Sequence, residues 1–137
     1  MSSERFFMDS AFVLAMLNPK DAFHDSALEL LPRVRVARAI WLHDGIVLEV
    51  ANGLSQKQRE SAVDFIEKVY RTTNTKVIPL DRKLMKRAVQ LYRERSDKEW
   101  GLTDCVSFVL MNDHSLEEAL TSDHHFEQAG FKILLKA

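Results

Sequence analysis

Asp9, Glu49, Asp104 and Asp123 each stand at the edge of, or inside, an apolar segment. Asp9 follows Phe6-Phe7-Met8, and Glu49 lies within Ile46-Val47-Leu48-Glu49-Val50. Asp104 opens the apolar pattern Val106 to Met111, and Asp123 follows Ala119-Leu120-Thr121. Open α/β sheets bind ligands at the carboxyl ends of their strands. Two of these acids fall just past predicted strands and one opens a predicted helix. Four carboxylates meeting in one cleft repel one another unless cations are present, and hard oxygen ligands suit Mg²⁺ or Mn²⁺.

Each acid also has a simpler reading. Asp9, Asp104 and Asp123 sit where a helix N-terminus favours an anion, and Asp81 does so as well. Taken singly, capping is the better account of each. Glu49 differs, because a glutamate among Ile46, Val47, Leu48, Val50 and Ala51 is costly to bury without a cation, a proton or a hydrogen-bond network. Other chemistries find less support. The five histidines show no His-Glu-x-x-His or paired-cysteine spacing. His124 and His125 are sequence neighbours, so on a helix they are expected not to face one site. Cys105 lacks an evident partner and reads as a small buried residue. No glycine-rich phosphate loop exists among four scattered glycines. Trp100 reads as core, with base stacking at a cleft rim the lesser alternative.

These acids need a scaffold, and the chain predicts one. A single domain over 1–137 is expected from 137 residues with 46% hydrophobic composition. Strands are predicted at Arg5–Met8, Ala37–Leu42, Thr75–Leu80, Glu118–Thr121 and Phe131–Leu135. Between them lie helical patterns at Ser10–Leu17, Asp21–Val36, Asp44–Leu54, Ser55–Arg71, Asp81–Arg95, Thr103–Asn112 and Asp123–Ala129. Pro32 is expected to end or kink the second helix. Ser55 and Thr103 are expected N-caps, and Gly130 an αL stop. Strands alternating with helices predict an α/β fold with a parallel sheet and right-handed crossovers. No apolar run of 18 residues suggests a membrane span. The N-terminus lacks signal-peptide features, and one cysteine suits a reducing cytoplasm, so a cytoplasmic location is expected. Net charge is −1, but residues 81–95 carry six Lys/Arg against two acids, a local +4 that can serve an RNA backbone or simply be a solvated face.

Four segments together resemble a PIN domain. They are Phe7-Met8-Asp9-Ser10-Ala11-Phe12, Val47-Leu48-Glu49-Val50-Ala51-Asn52-Gly53-Leu54, Asp97-Lys98-Glu99-Trp100-Gly101-Leu102-Thr103-Asp104-Cys105, and Leu120-Thr121-Ser122-Asp123-His124-His125-Phe126. The resemblance spans nearly the whole chain. It implies a three-layer sandwich, a central mainly parallel sheet of about five strands with helices on both faces. It implies a metal-dependent endoribonuclease, of the VapC-type toxin class, with Mg²⁺ or Mn²⁺ as cofactor. Asp9, Glu49, Asp104 and Asp123 would be the catalytic metal ligands, with Asp97 a fifth acid. Ser10 and Thr121 match hydroxyls beside the site, assigned to substrate binding. RNA, a neutralising antitoxin protein and a second copy of the chain are the implied partners. Gly101 stands where that family often has Ser, which removes one hydrogen bond near the site. Two alternatives remain at this level: a non-catalytic PIN-like binding module, and a phosphoacceptor receiver domain using Asp81.

Overall fold

Parallel strands covered on both faces require continuous apolar runs rather than alternation. Phe6-Phe7-Met8 and Ile40-Trp41-Leu42 are such runs, and they form neighbouring strands near the middle of the sheet. A computed structural model describes residues 2–136. Its elements are β1 (Arg5–Met8), α1 (Ser10–Leu17), α2 (His24–Val36), β2 (Ala39–His43), α3 (Asp44–Leu54), α4 (Arg59–Arg71), β3 (Thr75–Ile78), α5 (Arg82–Glu94), α6 (Leu102–Asp113), β4 (Glu118–Leu120), α7 (His124–Gln128) and β5 (Lys132–Ile133). The sheet order is β3-β2-β1-β4-β5 and every pairing is parallel. The chain therefore runs outward from β1 to β3, then returns to place β4 on the other side of β1. That reversal is a topological switch point, where a crevice opens past the carboxyl ends of β1 and β4.

Strand alternation assigns the layers. Phe7 lies in register with Trp41 and Ala119, and its ring meets those of His43 and Phe126 at 6.0 and 5.9 Å. This face is covered by α6 and α7. Phe6 points to the opposite face, where the Arg33 guanidinium of α2 lies 5.4 Å over its ring. Trp100, Phe108 and Phe126 pack edge to face at 4.9 Å per pair. Trp100 is 6% exposed and its indole N–H donates to Gln128 Oε1 at 2.9 Å, which makes it core.

Several boundaries differ from the sequence expectation, each for a local reason. Helix α2 starts at His24 because Asp21 turns the chain first, its Oδ1 accepting Phe23 N–H at 2.8 Å. Pro32 stays inside α2. The acceptor left without its helical donor is the carbonyl of Leu28, a residue on the exposed side of the helix. Ser55 does not cap α4: its hydroxyl donates back to the Asn52 carbonyl at 3.1 Å, closing α3, and α4 begins only at Arg59. Gly101, not Thr103, is the N-cap of α6, since the Gly101 carbonyl already accepts the first helical bond, from Cys105 N–H at 3.1 Å. Gly130 does take positive φ, at +97°.

One buried imidazole joins β2, α3 and α6. His43 has no exposed surface. Its Nδ1 accepts the Gly45 N–H at 3.1 Å and so caps α3. The Ser107 hydroxyl gives its proton to the Thr103 carbonyl at 3.1 Å, and is left to accept from His43 Nε2 at 3.0 Å. These partners assign the neutral Nε2–H tautomer. Burial pushes the imidazole down to about 4. A Cβ on Gly45 would lie 2.8 Å from His43 Cε1 and 2.9 Å from Nδ1, so the ring leaves no room for a side chain there. Gly45→Ala is expected to cost about 1–3 kcal/mol in a urea melt, as overpacking of a fixed core group does. Gly53→Ala, whose Cβ would meet the terminal Leu14 Cδ2 at 3.0 Å, is expected to be close to neutral, since the helix gains from alanine. Equal losses from the two substitutions would contradict the role given to His43.

Candidate active site

The switch point collects carboxylates from four elements. Asp9 is the residue after β1 and precedes α1. Glu49 projects from the middle of α3, Asp104 from the first turn of α6, and Asp123 caps α7 just beyond β4. Asp9 is 6% exposed, Asp104 and Asp123 are half-buried, and Glu49, despite its apolar sequence neighbours, is exposed. Each has a protein donor that orients it. The Thr121 hydroxyl donates to Asp9 Oδ2 at 2.7 Å and itself accepts the Asp123 N–H at 3.1 Å. The Ser10 hydroxyl donates to Glu49 Oε1 at 2.9 Å. Gly101 N–H donates to Asp104 Oδ2 at 3.1 Å, and His125 N–H to Asp123 Oδ1 at 2.9 Å.

The electrostatics of the group are one-sided. Burial is the main force raising Asp9, to about 7, with the Thr121 bond opposing it and the charges of Glu49 and Asp104 adding to it. Glu49 is raised first by burial and then by Asp104 and Asp123, against the pull of Ser10. Asp104 is raised by burial, with the Gly101 N–H opposing, Asp123 adding, and His125 opposing through its charge and a hydrogen bond. Every one of the four thus acts on at least one other. Among the described residues no Lys or Arg pairs with any of them, and the basic side chains in ion-pair range are the imidazoles of His124 and His125. Unneutralised, convergent carboxylates with free lone pairs are the donor set of a hard divalent cation.

Of the residues expected at this site, Ser10 and Thr121 lie within it, each bonded to a carboxylate. Asp97 does not join them. It is paired with Arg95 at 3.0 and 3.1 Å and with Lys98 at 3.9 Å, the Arg95 bond holds its carboxyl below the ordinary range, and its side chain is 59% exposed. Asp81 uses Oδ1 to cap α5 through Leu84 N–H at 2.8 Å. The Gly101 departure removes no support from Asp104, because the bond comes from the backbone. A Cβ there would meet nothing nearer than Asp104 Oδ2 at 3.9 Å. The two adjacent histidines depart from expectation. Both Nδ1 atoms face Asp123 Oδ1, at 3.9 Å for His124 and 3.2 Å for His125. They open α7, and helical side chains lean toward the N-terminus, where Asp123 stands. Sequence reasoning missed His43 and set His125 aside; the marks available were the glycine two residues after one and the capping Asp two residues before the other.

The family model for the PIN domain matches residues 6–132. Among curated proteins none matches the chain in sequence. Solved structures share its fold. Mycobacterium tuberculosis VapC20, described as a sarcin-ricin loop cleaving toxin, is 22% identical with a TM-score of 0.82, over 92% of this chain and 95% of that one. The Rickettsia felis VapBC2 complex, bound to a DNA fragment from its promoter, is 14% identical with a TM-score of 0.66, over 95% and 97%. FitAcB from Neisseria gonorrhoeae is 16% identical with a TM-score of 0.63, over 94% and 96%.

The site's burial has a measurable consequence. Asp9 has a folded value raised above its ordinary 3.8. Its contribution to stability is therefore complete below that value and is lost as pH rises through about 7. A carboxyl moved that far carries about 4 kcal/mol. His43, lowered from 6.5 to about 4, has the opposite slope: its contribution is complete above 6.5 and is lost as pH falls toward 4. Between pH 4 and 7 the two oppose each other. In thermal melts with EDTA, Asp9→Asn is expected to match the parent near pH 4 and to melt progressively higher than it toward pH 7.5. A gap that stays constant with pH would mean that Asp9 does not titrate in this window.

Proposed function

This chain belongs to the PIN domain family, and from that membership we propose that it is a metal-dependent endoribonuclease. The supporting observation is the convergence of Asp9, Glu49, Asp104 and Asp123 at the switch point with no Lys or Arg among their described partners. These four carboxylates hold Mg²⁺ or Mn²⁺, which when bound supplies an activated water for in-line attack on an RNA phosphodiester. The chain's own residues prepare that event. Thr121 fixes Asp9 and, through the Asp123 N–H, ties the end of β4 to the cap of α7. Ser10 fixes Glu49 across from α1, and Gly101 N–H fixes Asp104. These few donors leave lone pairs on each carboxylate for a ligand. Ser10 sits beside the carboxylates and contacts the substrate from there, whereas Thr121 has no exposed surface and serves instead to hold Asp9.

No side chain of the cluster is placed to act as a nucleophile, so water fills that role. The described free cysteine, Cys105, is buried, and burial pushes its thiol up to about 11. RNA as the substrate class draws support from the likeness to VapC20, and an antitoxin partner from the likeness to the VapBC2 complex and FitAcB. We extend the same reading to a toxin role, a homodimer and a cytoplasmic location.

The test is cleavage of a structured RNA by purified protein. Mg²⁺ or Mn²⁺ is expected to be required, with EDTA abolishing product. Asp9→Asn and Asp104→Asn, which keep shape but weaken a hard-cation ligand, are expected to lower the rate by more than the roughly 10–100-fold that disturbing a ligand's support costs. Both variants should retain a cooperative melt. Undiminished cleavage by folded Asn variants would remove the carboxylates from the mechanism.

A further inference from the structure

The carboxylate cleft leaves the basic residues of the sheet unused. We propose that Arg5, Arg38 and Lys76, gathered around Trp41 toward the opposite end of the sheet, form a second RNA contact that holds the phosphate backbone away from the cleft. The proposal rests on the nuclease reading above and adds to it where the rest of the substrate is held.

Strand register brings these residues together. Arg5 opens β1, Arg38 directly precedes β2, and Lys76 is the second residue of β3. All the strands are parallel, so the three stand toward the amino ends, while Asp9 and Asp123 stand past the carboxyl ends of theirs. Arg5 is paired with Ala39, and Lys76 with Trp41. In-register neighbours, and residues two apart in one strand, share a face, so Arg5, Trp41 and Lys76 project together. With Arg38 and Ala39 they line a hollow of about 340 Å³. His114, the C-cap of α6, stacks on the Trp41 ring at 3.9 Å, and Lys76 Nζ lies 5.6 Å from the centre of the same ring. The indole is thereby a fixed floor, and the cations form the wall.

The charge at this hollow is uncompensated. Among the described residues none of the three cations has a carboxylate in ion-pair range. Arg5 donates to the carbonyls of His114 and Ser115 at 3.0 and 3.1 Å, neutral acceptors that use two of its five N–H groups. Nearby acids are already paired, Glu4 with Arg33, Asp113 with Arg87 and Glu118 with Lys132. Glu117 lies in an adjoining hollow that Arg5 also lines, outside ion-pair range of it. The basic stretch of α5 continues the surface, since Arg87 pairs with Asp113, the neighbour of His114, and Lys83 acts on the same carboxyl. A single small anion needs no such extent. Arginine forks and lysines spread over several elements match the repeated charge of a phosphodiester backbone. RNA is favoured over an acidic protein because the carboxylate cleft of the same domain already addresses phosphodiesters. Arg5 and Asp9 are four residues apart along β1, about 13 Å of strand, so an RNA that reaches both sites is longer than one nucleotide.

The experiment is fluorescence anisotropy of a labelled RNA hairpin with the full chain, in EDTA to prevent cleavage and over a range of KCl concentrations. A backbone contact carries no sequence, so any hairpin serves. The double variant Arg38→Gln/Lys76→Gln is expected to bind the hairpin about tenfold more weakly, with a slope of log Kd against log salt shallower by about two. Arg59→Gln/Lys68→Gln, which removes two exposed cations of α4, is expected to stay within about twofold of the parent. An equal loss in that control reduces the effect to net charge and overturns the proposal. Absent hairpin binding, or unchanged affinity in Arg38→Gln/Lys76→Gln, overturns the proposal alone if the parent cleaves RNA with Mn²⁺, and both readings if it does not. Poly-glutamate that binds through the same two residues more tightly than the hairpin assigns the hollow to an acidic protein and overturns the proposal. Lysine acetylation of the folded parent needs no variant. Hairpin RNA is expected to slow modification of Lys76 several-fold and to leave Lys68 unchanged, and equal rates at Lys76 with and without RNA overturn the proposal.

Discussion

Asp9 is a carboxylate with almost no contact with water, and the charged groups that act on it are other carboxylates. Much of the site answers that constraint. A buried charge needs hydrogen bonds, a proton or a counter-ion. The protein provides one strong hydrogen bond, from Thr121, and no basic partner among the described residues. Protonation near neutrality and a bound cation are the two remaining ways to settle the charge. They exclude each other, because a cation's ligand must give up its proton. The metal-free fold therefore carries an electrostatic cost that a ligand relieves, and the surrounding structure must be rigid enough to bear it.

That rigidity comes from how the four acids are anchored. None is held by the same element as another, so their spacing depends on how β1, α3, α6 and α7 pack. Thr121 spans the first gap by bonding to Asp9 and to the Asp123 backbone. Ser10 spans the second by bonding to Glu49. His43 spans the third, since it caps the helix that carries Glu49 and bonds to the helix that carries Asp104. All three links are neutral. A lysine or arginine in any of these places would hold the acids together more strongly, but it would also neutralise the charge that leaves them open to a cation.

Much of this was legible in the residues. The apolar runs and their alternation with helical patterns gave the sheet, and the order of the acidic segments gave the group that meets at its edge. The failures share a cause. Ser55 and Thr103 have the composition of N-caps, but the Ser55 hydroxyl bonds backward into α3, and Thr103 falls inside α6 because the helix already starts from Gly101. Asp97 lies in the same motif as Asp104, yet Arg95 and Lys98 are immediate neighbours and claim it. His124 and His125 were judged by mid-helix geometry, which does not hold in the first turn beside a capping Asp. In each case a short-range contact, invisible in spacing alone, outweighed the pattern.

Gly101 illustrates how little a departure in side chain can matter when the backbone does the same work. A serine at an N-cap would accept from the N-terminal turn, and its loss suggests a weaker site. The structure shows the reciprocal bond instead: the N-cap N–H donates to Asp104. That donor exists whatever residue stands at position 101, proline excepted. What glycine gives up is a few tenths of a kcal/mol of capping. What it keeps is open space beside Asp104 Oδ2, the oxygen that faces His125. The departure is therefore a change to the wall of the cleft rather than to its ligands, and it gives no support to a non-catalytic reading of the chain.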